Sequence, residues 1–353
     1  MSESNIAKID KNFAVPATVD KADIVFRNVE NAPFQVLGVA YDGERYRRLP
    51  ETVAASVSDR VHTLSAHTAG GRVRFATNSS YVAIRAVMPH VGRMAHFALS
   101  GSSGFDLYAD GKYIRTFVPS VKMQGGYESV IDFGSVQMRN ITINFPLYSS
   151  VASLEIGLQE TAEIARHIDY SIRQPVVFYG SSITQGGCAS RPGNCYTAIL
   201  SRKLDADHVN LGFSGSGKGE REIAEYIASL PMSCFVYDYD HNAPDTDHLE
   251  ATHERMFRII REKQPNLPIV ILARPKYTLT AAEQERLAII KATYTRAIAS
   301  GDKNVYFLDG LTLMAMAEEE GTVDGTHPND LGFASMARAL EPLLAEILKE
   351  RNI

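Results

Sequence analysis

Two short segments of this chain place side chains where they could move an acyl group. In the first, the apolar run Val176-Val177-Phe178-Tyr179 gives way to Gly180-Ser181-Ser182-Ile183-Thr184. A serine therefore sits where a sheet strand turns into a following element, the edge at which parallel sheets bind ligands. The glycine permits a tight turn, and the first N–H groups of a following helix have no intrahelical partner and can receive an oxyanion. Taken alone, Gly-x-Ser after a strand also reads as a turn and helix cap. The second segment is Asp324-Gly325-Thr326-His327-Pro328-Asn329. A buried or half-buried aspartate three residues from a histidine can accept its Nδ1–H, fix the tautomer and leave Nε2 free to take a serine proton. That segment too reads as an ordinary capped loop, with Pro328 and Asn329 serving a helix start in either case.

Between them lie two loops with candidate donors for developing negative charge, Asn210-Leu211-Gly212-Phe213-Ser214-Gly215 and Asp238-Tyr239-Asp240-His241-Asn242. A glycine N–H and an asparagine amide suit a tetrahedral intermediate, although each taken singly is more often a turn residue. Four such features in order at successive strand ends make a stronger case than any one of them.

These features require a parallel sheet to carry them. After about Gln174 the sequence alternates apolar strand, polar loop and amphipathic helix, the pattern of a doubly wound sheet. The spacing predicts strands at Val176–Tyr179, His208–Gly212, Cys234–Tyr239, Ile269–Ala273 and Val305–Asp309. One predicted helix places Leu249, His253, Met256, Phe257 and Ile260 on a single stripe and stops near Pro265-Asn266. The last does the same with Phe333, Met336, Leu340, Leu344 and Ile347. Upstream, from about Ala14 to Leu158, apolar residues recur at period two, as in Val82, Ile84, Ala86, Met88 and in Ile141, Ile143, Phe145, Leu147. That is the pattern of half-buried antiparallel strands with almost no helix. Asp42-Gly43 and Asp110-Gly111 are expected to be two-residue hairpin turns. The resulting expectation is an all-β sandwich or jelly roll over residues 1–165, a charged linker at Glu160–Arg173, and an α/β domain over residues 174–353.

The bulk properties agree. The chain has 353 residues, 45% of them hydrophobic and 22% charged, enough for a large core and more than one domain. The net charge of −5 is interspersed, with no basic arm or acidic tail to draw nucleic acid or a membrane surface. Met1–Lys11 lacks the apolar core and cleavage site of a secretory leader, and no apolar run is long enough to span a bilayer. Cys188, Cys195 and Cys234 form a small odd set, best read as free thiols, so a cytoplasmic location is expected. Cys188 and Cys195 flank a loop at the expected site mouth. A ligand pair or a strained disulfide there is the weaker alternative. His248 and His253 point in different directions on a helix and do not make a metal site. The segment Gly212–Gly219 lacks the lysine-serine ending of a phosphate-binding loop.

Ser182, Gly215, Asn242 and His327 stand in the chain order of the four blocks of the SGNH (GDSL-like) hydrolase family, which this sequence resembles. Asp324-Gly-Thr-His327-Pro-Asn is very similar to that family's last block. Gly180-Ser181-Ser182 departs from the commoner Gly-Asp-Ser, and Tyr-Asp-His-Asn242-Ala-Pro departs further from Gly-x-Asn-Asp. In addition, Gly104-Phe105-Asp106-Leu107-Tyr108 resembles the Gly-x-Asp-Leu-Tyr signature of a β-sandwich preceding some of these esterases, although Asp106 also reads as structural. The resemblance implies a flavodoxin-like three-layer fold. It also implies Ser182, His327 and Asp324 as triad, Ser182 N–H, Gly215 N–H and the Asn242 amide as oxyanion hole, and no metal or organic cofactor. Similar two-domain proteins include bacterial carbohydrate acetyl esterases, some acting on mannan and other hemicellulose oligosaccharides, and an acyltransferase. The implied partner is a small-molecule or oligosaccharide ester, with no nucleic acid and no membrane, in a monomer or a homo-oligomer. The alternatives are acyl transfer through the same acyl-enzyme and a non-catalytic carbohydrate-binding protein. A short acyl group is expected because no long apolar lid segment flanks the motifs. The sandwich is expected to abut the catalytic face and help hold a sugar, through its tyrosines.

Overall fold

The computed structural model describes residues 19–349, so the first eighteen residues of the expected sandwich domain and the last four of the α/β domain lie outside the described residues. The alternating segments become antiparallel strands because one face of each can be buried. They form a four-stranded sheet and a six-stranded sheet that share one core. That core includes Val82, Ile84, Ile156 and Leu158 from the first sheet and Val73, Phe75, Leu107, Ile141 and Ile143 from the second.

Asp110 and Gly111 both have positive φ (49° and 76°) between strands Phe105–Ala109 and Lys112–Phe117, the expected two-residue hairpin. Asp42-Gly43 does not form one. The Asp42 carboxylate accepts the N–H groups of Glu44 and Arg45 and stretches the connection to four residues. This half also contains helices that period-two reading overlooks, Glu51–Val57, Asp59–Ser65 and Leu99–Ser102. The expected linker is partly structured: Ile164–Ala165 pairs with Ala76 and Thr77, and Arg173 already belongs to the strand Ile172–Gly180.

The remainder is a five-stranded parallel sheet in the order second, first, third, fourth, fifth, with strands Ile172–Gly180, Ala206–Gly212, Cys234–Asp238, Ile269–Leu272 and Val305–Leu308. This is the flavodoxin-like order, whose reversal lies beside the first strand. The first strand runs longer than expected, and its register shifts between Ile172 and Val176. Pro175 lies within this interruption and has no N–H for the ladder. Helices pack on both faces through two cores, one built around Phe178, Leu200, Phe333 and Leu340, the other around Tyr179, Ile223, Leu249 and Ile260. The stripes Leu249–Ile260 and Phe333–Ile347 are buried as predicted. No helix of the described residues is long and apolar enough to cross a membrane.

The two halves are bolted together by Asp106. Its side chain is fully buried, and its carboxylate accepts from Asn144 Nδ2 at 2.8 Å, Arg191 at 2.8 Å and the Gly193 N–H at 2.8 Å. The signature aspartate therefore acts structurally, holding the loop Gly187–Asn194 against the sandwich. Removing one member of a buried pair leaves the other uncompensated, so Asp106→Ala is expected to destabilise the protein by about 3 kcal/mol. Urea unfolding measures this, and an unchanged midpoint would show that the anchor is dispensable.

Candidate active site

The first strand delivers its serine through a helix of one turn. Ser181 caps it by accepting the Ile183 N–H, Ser182–Gln185 form the turn, and Gly186 at φ +97° ends it. Gly180 is required for space rather than for an unusual backbone angle. A Cβ there would lie 2.4 Å from the Asp238 carbonyl and 2.3 Å from Thr184 Oγ1. Ser182 is 7% exposed, and its N–H finds no acceptor among the described residues.

The histidine arrives from the opposite end of the chain. A bridge between Thr322 and Pro328 and the Val323 N–H to His327 carbonyl bond of 2.9 Å close a tight loop, with Gly325 at φ +82°. Asn329 Oδ1 accepts the Gly332 N–H at 3.0 Å and caps the final helix, Asp330–Lys349. Within this loop Asp324 Oδ1 accepts the N–H groups of Thr326 (3.0 Å) and His327 (2.8 Å), while Oδ2 lies 2.7 Å from His327 Nδ1. His327 Nε2 is 3.0 Å from Ser182 Oγ. Carboxylate, imidazole and hydroxyl thus form one proton-transfer chain.

Asp324 is not buried: its side chain is 38% exposed. What desolvation it has raises its pKa, but the hydrogen bonds from the His327 N–H, the His327 ring and the Thr326 N–H outweigh this and pull the carboxyl down to about 2. A depressed carboxylate contributes stability that is present above its unfolded value near 3.8 and lost as pH falls towards 2. Asp324 is therefore ionised throughout the working range. Because water reaches it, Asp324→Asn is expected to lower turnover by roughly 10–10²-fold, less than the ~10⁴-fold for a buried triad aspartate. Steady-state kinetics tests this, and a loss equal to that of the serine variant would refute the role of exposure.

The loops that carry the candidate oxyanion donors are hydrogen-bonded to one another. Gly215 has φ +66°, and its N–H is without an acceptor among the described residues. Asn242 Nδ2 donates to the Phe213 carbonyl at 2.9 Å, which fixes the amide beside that loop and uses one of its two N–H groups. The Asn242 loop is itself clamped. Arg286 donates to Asp240 Oδ1 and to the carbonyls of Asp240 and Ala243, and Arg274 to Asp240 Oδ2. Burial, with Arg274 adding to it, pushes the pKa of the neighbouring His241 ring down to about 3, so it is neutral.

Several positioning groups left no local signal in the sequence. Gln185 Oε1 accepts the Ser214 N–H at 3.0 Å, while its Nε2 donates to the Leu147 carbonyl and to His67 Nδ1, linking the serine turn, the Gly215 loop and the sandwich half. Arg48 crosses from the same half to donate to the carbonyls of Leu64, His67, Asn210 and Gly212. Tyr148 donates to the Ser182 carbonyl at 3.2 Å. The exposed His96 ring stands 5.8 Å from that of His327. The sandwich half therefore abuts the site, but the tyrosine it sends there is buried and braces the serine turn.

Cys188 and Cys195 are buried free thiols. Burial, reinforced by the Asp324 charge, pushes the Cys188 thiol up to about 11. His96, Cys188 and His327 offer ligand atoms all within 4.8 Å of one another and could hold a soft cation, at the expense of His327 as a base. His248 and His253 bind different partners, the Lys218 carbonyl and Thr293 Oγ1.

Residues 173–345 match the GDSL-like lipase/acylhydrolase family, and residues 24–164 match the N-terminus of Esterase_SGNH_hydro-type. The α/β half belongs to the GDSL-like lipase/acylhydrolase family. No curated protein matches the chain. Among solved structures, a Bacteroides ovatus protein described as a GDSL-like lipase is similar at 29% identity and TM-score 0.82, covering 92% of this chain and 98% of its own. A salicylyl-acyltransferase from a tetracycline biosynthetic pathway is similar at 20% identity and TM-score 0.76, with 93% and 98% coverage. A family two carbohydrate esterase from Cellvibrio japonicus shares the fold at 14% identity and TM-score 0.62, with 92% and 98% coverage. The last two comparisons speak for the fold. In this GDSL-like chain the sandwich and the parallel sheet recur together, as in all three.

Proposed function

We propose that the protein is a serine esterase that removes short acyl groups, acetyl foremost, from a carbohydrate. Ser182 attacks the ester carbonyl while His327 Nε2 takes its proton, and Asp324 holds the imidazole and stabilises its charged form. The N–H groups of Ser182 and Gly215 and the Asn242 amide receive the oxyanion. As the tetrahedral intermediate breaks its C–O bond to the sugar, His327 returns the proton to that oxygen and the sugar leaves as the alcohol; water then releases the acid by the reverse sequence. The observation that carries this reading is the continuous chain from Asp324 Oδ2 through His327 to Ser182 Oγ, with steps of 2.7 and 3.0 Å. The sugar part rests on the shared architecture with the Cellvibrio japonicus carbohydrate esterase and with an acetyl xylan esterase from Butyrivibrio proteoclasticus. The short acyl part rests on the lack of a long apolar segment beside the motifs.

The direct test is turnover of p-nitrophenyl acetate against the octanoate, followed by a panel of acetylated oligosaccharides read by mass and NMR. Preference for octanoate would overturn the short-chain reading, and failure on every acetylated sugar would overturn the carbohydrate one. A second reading, transfer of the acyl group to an alcohol, is favoured by the similarity to the salicylyl-acyltransferase. Product analysis with an added sugar acceptor separates the two, since hydrolysis gives free acid and transfer a new ester. A non-catalytic binding role is disfavoured by the intact triad geometry. Labelling of Ser182 by a fluorophosphonate decides it.

A further inference from the structure

A cavity of about 290 Å³ lies at the seam between the two halves, lined on one side by the six-stranded sheet and on the other by the helix Tyr196–Leu204 and the strand Ala206–Gly212. Its size is at the lower end of small-molecule sites. Two arginines on its wall form no ion pair among the described residues. Arg74 is 4% exposed, its guanidinium lies over the Tyr170 ring at 3.7 Å, and none of its side-chain nitrogens has a hydrogen-bond acceptor among the described residues. Arg202 sits over the Tyr108 ring at 4.3 Å and, among the described residues, donates only to the Ala198 carbonyl of its own helix, at 3.1 Å. Their neighbours differ: Arg72 is paired with Asp207 and Arg191 with Asp106.

The carboxylates on the same wall form no ion pair with either arginine, and of them Asp169 alone is paired with other cations among the described residues. Asp110 accepts the Asn140 N–H, Asp169 pairs with Arg166 and Arg173, and Asp205 accepts from Ser171. Two guanidiniums thus share a seam cavity without an ion pair, the charges of Asp205 and Asp207 acting on Arg74 and that of Asp106 on Arg202 only from beyond contact distance. A buried charge without a hydrogen-bonded partner is costly, so a folded protein that retains such groups gains from an anion that reaches them. Burial accordingly holds both guanidiniums below their ordinary range.

We propose that this seam cavity binds a small oxyanion, a carboxylate or a phosphate, between Arg74 and Arg202. The site is separate from Ser182 and does not depend on the esterase reading. An occupant would touch both halves of the chain, so binding stabilises their docking.

Thermal unfolding at constant ionic strength tests the proposal, with inorganic phosphate, sulfate and acetate as probes and chloride as the reference. The expected result is a saturable rise of about 2–4 °C with at least one oxyanion over chloride. Arg74→Gln and Arg202→Gln should each weaken half-saturation tenfold or more, and the double variant should abolish the rise. Which probe acts distinguishes a phosphate-bearing from a carboxylate-bearing ligand. Line broadening of the phosphate ³¹P signal by the unaltered protein, reversed by a competing oxyanion, gives a reading that does not depend on the variants folding. No saturable rise and no broadening with any probe, or a rise retained in a folded double variant, would overturn the proposal.

Discussion

Replacing Ser182 by alanine is expected to lower turnover of p-nitrophenyl acetate by at least about 10⁴-fold, and His327→Ala by a similar factor. The double variant should be scarcely worse than either, because hydroxyl and imidazole act as one unit: without the base the serine is a weak nucleophile, and without the serine the base has no bound hydroxyl to activate. The 3.0 Å contact between Ser182 Oγ and His327 Nε2 is the structural ground for that non-additivity. Residual activity in each variant should come from the oxyanion donors, which neither substitution touches. Stopped assays of the two single variants and the double variant measure all three rates. Equal rates for wild type and Ser182→Ala would remove the esterase assignment altogether. If instead the single losses multiplied in the double variant, Ser182 and His327 would not be one catalytic unit.

The triad was readable because its chemistry is local. Asp324 and His327 lie on one turn, and Ser182 ends an apolar run, so spacing alone places carboxylate beside imidazole and serine at a strand end. The exposure of Asp324 was not readable, because whether a loop is covered depends on what packs over it. The positioning groups were hidden for a similar reason. Arg48 donates to backbone carbonyls of residues up to 164 positions away, and any arginine in an irregular segment looks the same in sequence. Gln185 and Tyr148 likewise take their roles from partners brought in by the docking of the two halves.

The fold follows the same division. Strand alternation is visible where one face is buried over six or seven residues, as in Ser153–Gln159, which buries Leu154, Ile156 and Leu158. The helices Glu51–Val57 and Asp59–Ser65 span two turns each, and the first buries only Ala54, too little for a 3.6-residue period to emerge. At Asp42-Gly43 the side chain overruled the dipeptide, since a carboxylate that caps two backbone N–H groups stabilises a wider turn than the dipeptide alone suggests.

Asn242 is the place where the sequence departs most from its family's pattern, and the structure supplies a physical reason why the departure is tolerated. The residue after it is Ala243, so a neighbouring aspartate does not hold the loop. The work falls to Asp240, two positions upstream, 2% exposed and gripped by Arg274 and Arg286. Arg286 also donates to the carbonyls on both sides of Asn242, and the Phe213 carbonyl takes one amide hydrogen, so the second is held in a fixed direction. A donor fixed in advance does not have to reorganise when charge develops, which is why one oxyanion donor is worth about 10²–10³ in turnover. Asn242→Ala is therefore expected to lower kcat by that factor with KM little changed, since the amide binds the transition state more tightly than the ester. A loss confined to KM would mean that Asn242 holds the substrate instead. A loss below about threefold would leave the backbone N–H groups of Ser182 and Gly215 to account for oxyanion stabilisation alone.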